Sequence, residues 1–304
     1  MATVLGVRGT QFTLNHQQTF LLGVNYCGGL SAPEEFVRRD LTDFQQFGVN
    51  CVRIWANWRV SHLDVAALDR QGNPREPFLS KLQWFVRECD RRGFIVGVTI
   101  GRGNASGEPQ LANHEAHLRA VATVLQALGV FENWYLDMAT ERNLRDARFV
   151  HMDEVKALRD AAKAQDARRL VTASHSGDLP REEMTKYLFN GGVDFLAFHR
   201  PCTPRTAGKT AEWTAQYREW LRALDHEMPV LYQESLHRGT APRYEPTAQD
   251  LLQDFQSAYT AGAAGWFFTP HEKIYRLFDL RQQRLWDQLD GEEKAFFQQV
   301  WGAM

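Results

Sequence analysis

Residues 40–58, DLTDFQQFGVNCVRIWANW, place an amphipathic helical pattern directly before a short apolar strand. Apolar residues recur at helical spacing in the first half, and the second half is rich in residues that favour strands. Side chains alternate between the two faces of a strand, so Val52 and Ile54 share one face and Arg53 takes the other. The apolar pair should pack against helices, and we therefore expect Arg53 to point inward, where it needs a carboxylate partner.

The same order of helix, polar break and strand recurs along the chain and predicts eight strands. They are Leu22–Tyr26, Asn50–Trp55, Phe94–Ile100, Trp134–Ala139, Arg169–Ser174, Val193–Phe198, Val230–Gln233 and Gly265–Phe268. Strands that alternate with helices form parallel sheets with right-handed crossovers. Eight such units in about 280 residues predict the α/β class and a closed (β/α)8 TIM barrel. An open doubly wound sheet is disfavoured, because no glycine-rich phosphate loop follows the first strand.

We expect one catalytic domain over residues 1–304, because no linker rich in Pro, Gly or Ser divides the chain. Residues 1–20 are predicted to hold a β-hairpin that closes the bottom of the barrel. Its arms would be Gln11–Leu14 and Thr19–Leu22, joined by a turn over residues 15–18.

The composition excludes several classes of function. The 304 residues include 35 Lys and Arg and 37 Asp and Glu, so the formal net charge is −2. This balance gives no electrostatic reason to bind nucleic acid or an anionic membrane. No secretory signal or membrane-spanning stretch is evident, and the four cysteines form no C-x-x-C pair, which favours reduced thiols and a cytoplasmic location. A secreted protein whose signal has been removed would show the same pattern. The oligomeric state stays open.

Two carboxylates dominate the predicted active site, which lies at the C-terminal ends of barrel strands. Glu141 closes the segment YLDMATE, and Glu234 closes VLYQE. Facing carboxylates suit glycoside hydrolysis, in which one donates a proton and the other attacks the anomeric carbon. Arg53 beside Glu234 would lower its pKa and suit it to be the nucleophile. Glu141, with no such cation fixed on it, would be the acid. Alone, an Arg–Glu pair is also consistent with a purely structural tie across the barrel.

Several segments resemble clan A glycoside hydrolases, especially the cellulase- and mannanase-like family 5. VRGTQFTLNHQQTFLLGVNY (7–26) is similar to their opening hairpin and first strand, and residues 40–58 are similar to their first helix and second strand. YLDMATERN (135–143) and VLYQESLHRG (230–239) stand where the family carries its acid/base and its nucleophile. The resemblance spans the chain in order. It implies a retaining hydrolase of β-linked oligo- or polysaccharides, with Glu141 as acid/base and Glu234 as nucleophile.

The resemblance also implies which residues bind the sugar. FLAFHR (195–200) is similar to a segment that carries an active-site His. AGAAGWFF (261–268) is similar to a segment whose Trp forms the floor of the sugar subsite. The substrate-binding candidates are Asn25, Arg53, Trp55, Thr140, His175, His199, Tyr232 and Trp266. Trp58 is a further stacking candidate. The family has Asn before the acid/base Glu, which donates to the sugar 2-hydroxyl, and this chain has Thr140 instead. Carbohydrate is the expected partner, and no metal or cofactor is needed.

Two alternatives remain open. Glu141, His175, His199 and Glu234 together would suit a divalent metal, as in sugar isomerase or epimerase barrels. A barrel that binds sugars without cleaving them would explain Thr140. His114 and His117 are three residues apart, one short of the H-E-x-x-H zinc spacing, and are predicted to lie on a solvated helix face.

Overall fold

The computed structural model describes residues 2–60, 63–102, 109–239, 244–270, 278–300 and 302. The strands are β1 (Leu5–Arg8), β2 (Gln11–Leu14), β3 (Gln17–Thr19), β4 (Leu21–Asn25), β5 (Cys51–Trp55), β6 (Arg59–Val60), β7 (Leu63–Asp64), β8 (Ile95–Thr99), β9 (Trp134–Asp137), β10 (Val171–Thr172), β11 (His175–Ser176), β12 (Leu196–His199), β13 (Val230–Glu234) and β14 (Gly265–Phe268).

The helices are α1 (Glu34–Gln46), α2 (Phe78–Arg91), α3 (His114–Leu128), α4 (Met152–Gln165), α5 (Arg181–Lys186), α6 (Thr206–Ala223), α7 (Ala248–Thr260), α8 (Leu285–Gln288) and α9 (Gly291–Val300). A 3-10 turn covers Gly29–Ser31, and a π-helical turn over Tyr187–Gly191 continues α5. Within the described part of the chain, no helix is long and apolar enough to cross a membrane.

The parallel sheet curls into a closed barrel, which confirms the predicted fold class. Its strands lie in the order β10, β9, β8, β5, β4, β14, β13, β12, β11. β10 and β11 are two parts of one strand over residues 171–176, so the two ends of the sheet meet there. All eight predicted strands are present, and their bounds differ from the prediction by at most three residues.

A side chain from β9 interrupts the strand formed by β10 and β11. The carboxylate of Asp137 accepts hydrogen bonds from the backbone N–H and the hydroxyl of Ser174, both at 3.0 Å. The carbonyl and hydroxyl oxygens of Ser174 are then free to accept the N–H groups of Arg142 and Glu141. The break in the sheet therefore fixes the backbone at the end of the fourth barrel strand.

The N-terminal segment differs from the predicted hairpin. It is a three-stranded antiparallel sheet of β1, β2 and β3, and β2 pairs with Gln17–Thr19 rather than with residues 19–22. The turn contains only Asn15 and His16, both with positive φ, as tight hairpin turns require. Leu21 and Leu22 belong instead to β4 of the barrel. The buried ring of Phe12 on β2 packs against Phe195 inside the barrel, with centroids 5.1 Å apart.

Two apolar cores hold the fold together. The larger lies between the sheet and the helices, and the smaller fills the barrel interior, where Cys51, Ile95, Tyr135, Leu231 and Phe267 meet. Close packing in the interior depends on small residues beside large rings. At Gly97 an added Cβ would lie 2.4 Å from the hydroxyl of Tyr135, so only glycine fits there.

Candidate functional site

A cavity of about 410 Å³ opens at the C-terminal ends of the barrel strands. Both predicted glutamates line it, and two tryptophans and two arginines form much of the remaining wall. Its described lining residues include Trp55, Trp58, Arg59, Gln110, Arg102, Thr140, Glu141, Leu144, Glu234 and Thr269. The volume falls in the range of small-molecule sites, so the cavity has room for part of a sugar chain.

Glu234 forms the predicted ion pair with Arg53. The guanidinium Nη1 lies 2.7 Å from Glu234 Oε1, and Arg53 is completely buried inside the barrel. Regular alternation would turn Glu234 outward with Tyr232. The pairing of β12 with β13 instead shifts register, from Phe198 opposite Tyr232 to His199 opposite Glu234. Such a bulge re-aims side chains near active sites, and here it brings Glu234 to the mouth of the barrel.

Glu141 has an unusual backbone conformation, with φ at 47°. A non-glycine residue in this left-handed region costs about 1 kcal/mol or more and persists only where its surroundings hold it. Ser174 Oγ accepts the N–H of Glu141 at 3.0 Å. Arg102 Nε donates to the carbonyls of Thr140 and Glu141, both at 2.7 Å. The strained turn aims the carboxylate of Glu141 into the cavity.

His199 lies between the two glutamates. Its Nδ1 is 3.2 Å from Glu141 Oε1 and 3.4 Å from Glu234 Oε1, and one ligand atom from each of the three residues lies within 4.8 Å of the others. Its Nε2 faces Gln233 Oε1 at 3.4 Å. An N–H on each ring nitrogen satisfies all these acceptors, so the surroundings favour the imidazolium form.

The pKa values follow from these contacts. Burial lowers the pKa of His199, but the charge of Glu234 and the contact with Glu141 outweigh it, so the pKa lies above its usual value. Burial raises the pKa of Glu141. The hydrogen bond with His199 and the charge of His199 lower it by more than burial raises it, so the pKa of Glu141 lies below its usual value. The expectation that no cation is fixed on Glu141 is therefore wrong.

Arg53 has a second carboxylate that the sequence analysis missed. Its Nη2 lies 3.3 Å from Asp137 Oδ2 and donates to Thr140 Oγ1 at 3.1 Å, while its Nε donates to Thr99 Oγ1 at 2.7 Å. Thr140 therefore faces the arginine that pairs with Glu234, in the wall of the cavity. The available signal for Asp137 was a charged residue inside the apolar strand segment YLDM.

Two predicted sugar-binding aromatics do not reach the cavity. Trp266 is fully buried on the helical side of the sheet, where its Nε1 donates to Asp254 at 2.8 Å and its ring packs against Phe296. Tyr232 is also fully buried on that side, and its hydroxyl lies 2.6 Å from Thr214 Oγ1 on α6. Both assignments are wrong, because these side chains serve the core between sheet and helices.

Asn25 and His175 are occupied by structural contacts at the barrel top. The buried amide of Asn25 donates to the carbonyl of Gln233 and to Thr269 Oγ1. His175 Nδ1 lies 3.3 Å from Tyr187 Oη, and neither residue lines the described cavity. Burial, followed by the charge of Arg142, lowers the pKa of His175 to about 4. These contacts give no support to their predicted roles in sugar binding.

His117 is another correction. It is fully buried instead of solvated, and its Nε2 lies 2.7 Å from the carbonyl of Met138, to which it donates. Burial lowers its pKa to about 3.

Trp55 and Trp58 form the aromatic wall of the cavity. Trp55 is nearly buried, and the guanidinium of Arg53 covers its ring at 4.1 Å. Trp58 is only half-buried and meets Trp55 edge to face, with centroids 5.2 Å apart. Trp58 therefore offers the more accessible ring. Arg59, which the sequence analysis did not single out, is fixed beside it by Asp64 and by the carbonyls of Leu68 and Gln110.

No known sequence family matches the chain, and no curated protein matches it in sequence. Solved structures do share its fold. A provisionally assigned glycoside hydrolase from Bacteroides vulgatus superposes with a TM-score of 0.73 at 15% identity, over 98% of this chain and 60% of that one. The chain thus spans only about three fifths of that protein.

Two further structures match over most of both chains. An endo-1,4-β-mannanase from Rhizomucor miehei gives a TM-score of 0.61 at 14% identity and covers 99% of each chain. A family 5, subfamily 18 glycoside hydrolase from Streptomyces cattleya, bound to GlcNAc, gives 0.68 at 16% identity, over 98% of this chain and 80% of that one. At these identities the likeness concerns the fold alone: the chain has the barrel fold that these glycoside hydrolases share.

Proposed function

We propose that this protein is a retaining glycoside hydrolase that cleaves a β-linked oligo- or polysaccharide. The observation that carries the proposal is the meeting of Glu141 and Glu234 at one cavity, with carboxylate oxygens within 4.8 Å of each other. Retaining enzymes hold their two carboxyl groups about 5–5.5 Å apart, whereas inverting enzymes need roughly 6.5–9.5 Å to admit a water molecule. The short separation supports retention.

Glu234 suits the nucleophile. Its Oε1 contacts Arg53 at 2.7 Å and faces His199 at 3.4 Å, and both cations favour the ionised carboxylate. In the first step this oxygen attacks the anomeric carbon and forms a glycosyl ester as the leaving oxygen departs. The ester is then hydrolysed by water.

Glu141 suits the acid/base role through its pairing with His199. In the first step the leaving oxygen takes a proton from Glu141. In the second, Glu141 accepts a proton from the attacking water. The low pKa of Glu141 in the free site means that the proton is supplied through the contact with His199, 3.2 Å away.

Thr140 replaces the amide that the resembling family places next to this glutamate. Its Oγ1 accepts from Arg53, so its own hydroxyl hydrogen is left to donate to a sugar hydroxyl in the cavity. We propose Trp58 as the stacking ring, in place of the buried Trp266.

The test is to make Glu141→Gln and Glu234→Gln separately and measure hydrolysis of a panel of 4-nitrophenyl β-glycosides and β-glucans or β-mannans. We expect Glu234→Gln to lose hydrolysis altogether. We expect Glu141→Gln to lose about 10²–10⁴-fold on substrates that need leaving-group protonation. Glu132→Gln, at a half-buried site at the other end of the barrel, is the control. Hydrolysis of a β-glucan or β-mannan within tenfold of wild type in either cavity variant would contradict the assignment, whereas the 4-nitrophenolate leaving group needs little protonation and tests Glu234 alone.

The three side chains around His199 also favour a second candidate, a divalent-metal site for sugar isomerisation or epimerisation. Glu141, His199 and Glu234 each offer one ligand atom within 4.8 Å, whereas His175 faces Tyr187 instead. Chelation separates the two functions, because EDTA stops a metal enzyme and leaves hydrolysis by two glutamates unchanged. Sugar binding without turnover of any substrate in the panel would instead support a non-catalytic barrel.

A further inference from the structure

A second, smaller cavity lies beside the catalytic one. It has a volume of about 150 Å³ and shares Cys27 and Trp58 with the catalytic cavity, so these two residues stand between them. The rest of its described wall is mainly apolar and includes Leu63, Phe278 and Leu280. Apolar walls favour an apolar occupant, because a buried water molecule needs two to four polar partners.

Ser31 lines this second cavity, and its buried hydroxyl has no hydrogen-bond partner among the described residues. Leaving a buried hydroxyl unsatisfied is unfavourable, so such a group marks a position where a ligand atom or water completes the bonding. Ser31 is positioned by the 3-10 turn, in which its backbone N–H donates to the carbonyl of Gly28 at 2.8 Å.

The turn also brings the backbone close to Trp58, which lines both cavities. Gly28 has a φ of 64°, which suits glycine, and an added Cβ would lie 3.3 Å from Leu63 and 3.4 Å from the indole nitrogen of Trp58. The backbone therefore runs close behind the ring that we propose as the stacking surface. Because Trp58 lines both cavities, a substituent on a sugar stacked on this ring lies next to the second cavity.

The occupant must be small, apolar at its end and able to accept one hydrogen bond. An acetyl group meets all three conditions, since its methyl fits the apolar wall and its carbonyl oxygen accepts from the hydroxyl of Ser31. We propose that the second cavity is a subsite for an acetyl group, carried as an amide or ester on the sugar bound in the catalytic cavity. This inference rests on the proposed function and narrows its substrate class to acetylated sugars.

The test compares matched substrates. Hydrolysis is measured for 4-nitrophenyl β-glucoside, its 2-acetamido-2-deoxy counterpart, and its 3-O-acetyl and 6-O-acetyl esters. A methyl placed in an apolar pocket is worth 10- to 200-fold in specificity, so we expect kcat/KM for at least one acetylated substrate to exceed that of the plain glucoside at least tenfold. Calorimetry of the corresponding free sugars measures binding separately from turnover.

Two variants of Ser31 test whether the preference for acetylated substrates depends on the second cavity. Ser31→Ala removes the hydroxyl and is expected to lower the preference about five- to tenfold, the value of one neutral hydrogen bond. Ser31→Leu fills the cavity and is expected to abolish the preference. Ser80→Leu, at an exposed serine on α2, is the matched control. Thermal unfolding of each variant checks that it is folded, and Ser31→Ala retains the test if the larger side chain disturbs the turn.

The outcomes separate this proposal from the function on which it rests. Hydrolysis without any preference for an acetylated substrate overturns the acetyl subsite and leaves the hydrolase intact. A preference that survives both Ser31 variants also overturns it. Tighter binding of an acetylated sugar, lost in Ser31→Leu but without hydrolysis of any substrate, supports the subsite and contradicts the hydrolase. Neither binding nor hydrolysis of any member of the panel contradicts both.

Discussion

Replacing Asp137 by asparagine tests whether the buried charges beneath the cavity act as one unit. Asp137 is fully buried and lies 3.3 Å from Arg53, and it accepts two hydrogen bonds from Ser174. Asparagine has nearly the same shape but offers an N–H₂ group where Asp137 offers an oxygen. That group would face either the backbone N–H of Ser174, or the guanidinium of Arg53 together with the hydroxyl of Ser174, and all of these donate to Asp137 in the wild type.

The loss of stability in Asp137→Asn depends on the contacts that Arg53 keeps. Removing one partner of a buried ion pair costs about 3–5 kcal/mol, because the other charge is left without compensation. Arg53 would keep Glu234 at 2.7 Å, so we expect the lower end, about 3 kcal/mol. With a urea m-value of about 3 kcal/mol/M, the unfolding midpoint should fall by about 1 M. Native proteins are typically stable by about 5–15 kcal/mol, so we expect the variant to fold.

Equilibrium unfolding in urea, with fluorescence and circular dichroism in parallel, provides the measurement. Asp225→Asn is the matched control, because Asp225 is exposed and its φ of 54° is one that asparagine also adopts readily. Its midpoint should stay within about 0.2 M of wild type. If Asp137→Asn unfolds at the wild-type midpoint with an unchanged m-value, the claim that Arg53 depends on both carboxylates is refuted.

Further predictions concern the tryptophans and a buried histidine. Trp58→Ala should raise KM on the best glycoside about three- to tenfold with little loss of stability. Trp266→Ala should destabilise the fold by about 3–5 kcal/mol and leave KM unchanged. The reverse pattern would show that Trp266 is the stacking ring. The pKa of His117 is about 3 in the folded chain, so the unfolded chain binds the extra proton between about pH 6.5 and 3, and stability falls as the pH falls through that window. His117→Gln should therefore reduce the loss of unfolding free energy between pH 7 and pH 4 by roughly 3 kcal/mol, and an equal loss in both proteins would show that another group is responsible.

The order of strands and helices was predictable because each helix and each strand has its own local residue pattern. The inward direction of Arg53 was also predictable, since β5 has a polar residue between two apolar ones and only one face can meet the helices. β14 has no such marker. Its GWFF segment is apolar on both faces, as in most barrel strands, so the pattern does not tell which face Trp266 takes.

Packing decides that question. Phe267 fits over Gly23 on the neighbouring strand, where an added Cβ would lie 2.3 Å from the ring, and this places Phe267 inside the barrel and Trp266 outside. The bulge that re-aims Glu234 is equally invisible in sequence, because it depends on the register between β12 and β13. Strict alternation would have grouped Glu234 with the outward-facing Tyr232. The two glutamates were found through their places at strand ends, not through strand periodicity.

The position of His199 resolves an apparent conflict in the site. A general acid should hold its proton near working pH, yet the pKa of Glu141 lies below its usual value in the free site. The charge of Glu234 and the contact with Glu141 raise the pKa of His199, so in the free site the proton of the pair lies on His199. Under the proposed mechanism, ester formation at Glu234 removes one of the two negative charges that keep this proton on His199. Formation of the ester therefore lowers the pKa of His199 at the stage when the leaving oxygen needs a proton. In this mechanism the general acid is the His199–Glu141 pair and not Glu141 by itself.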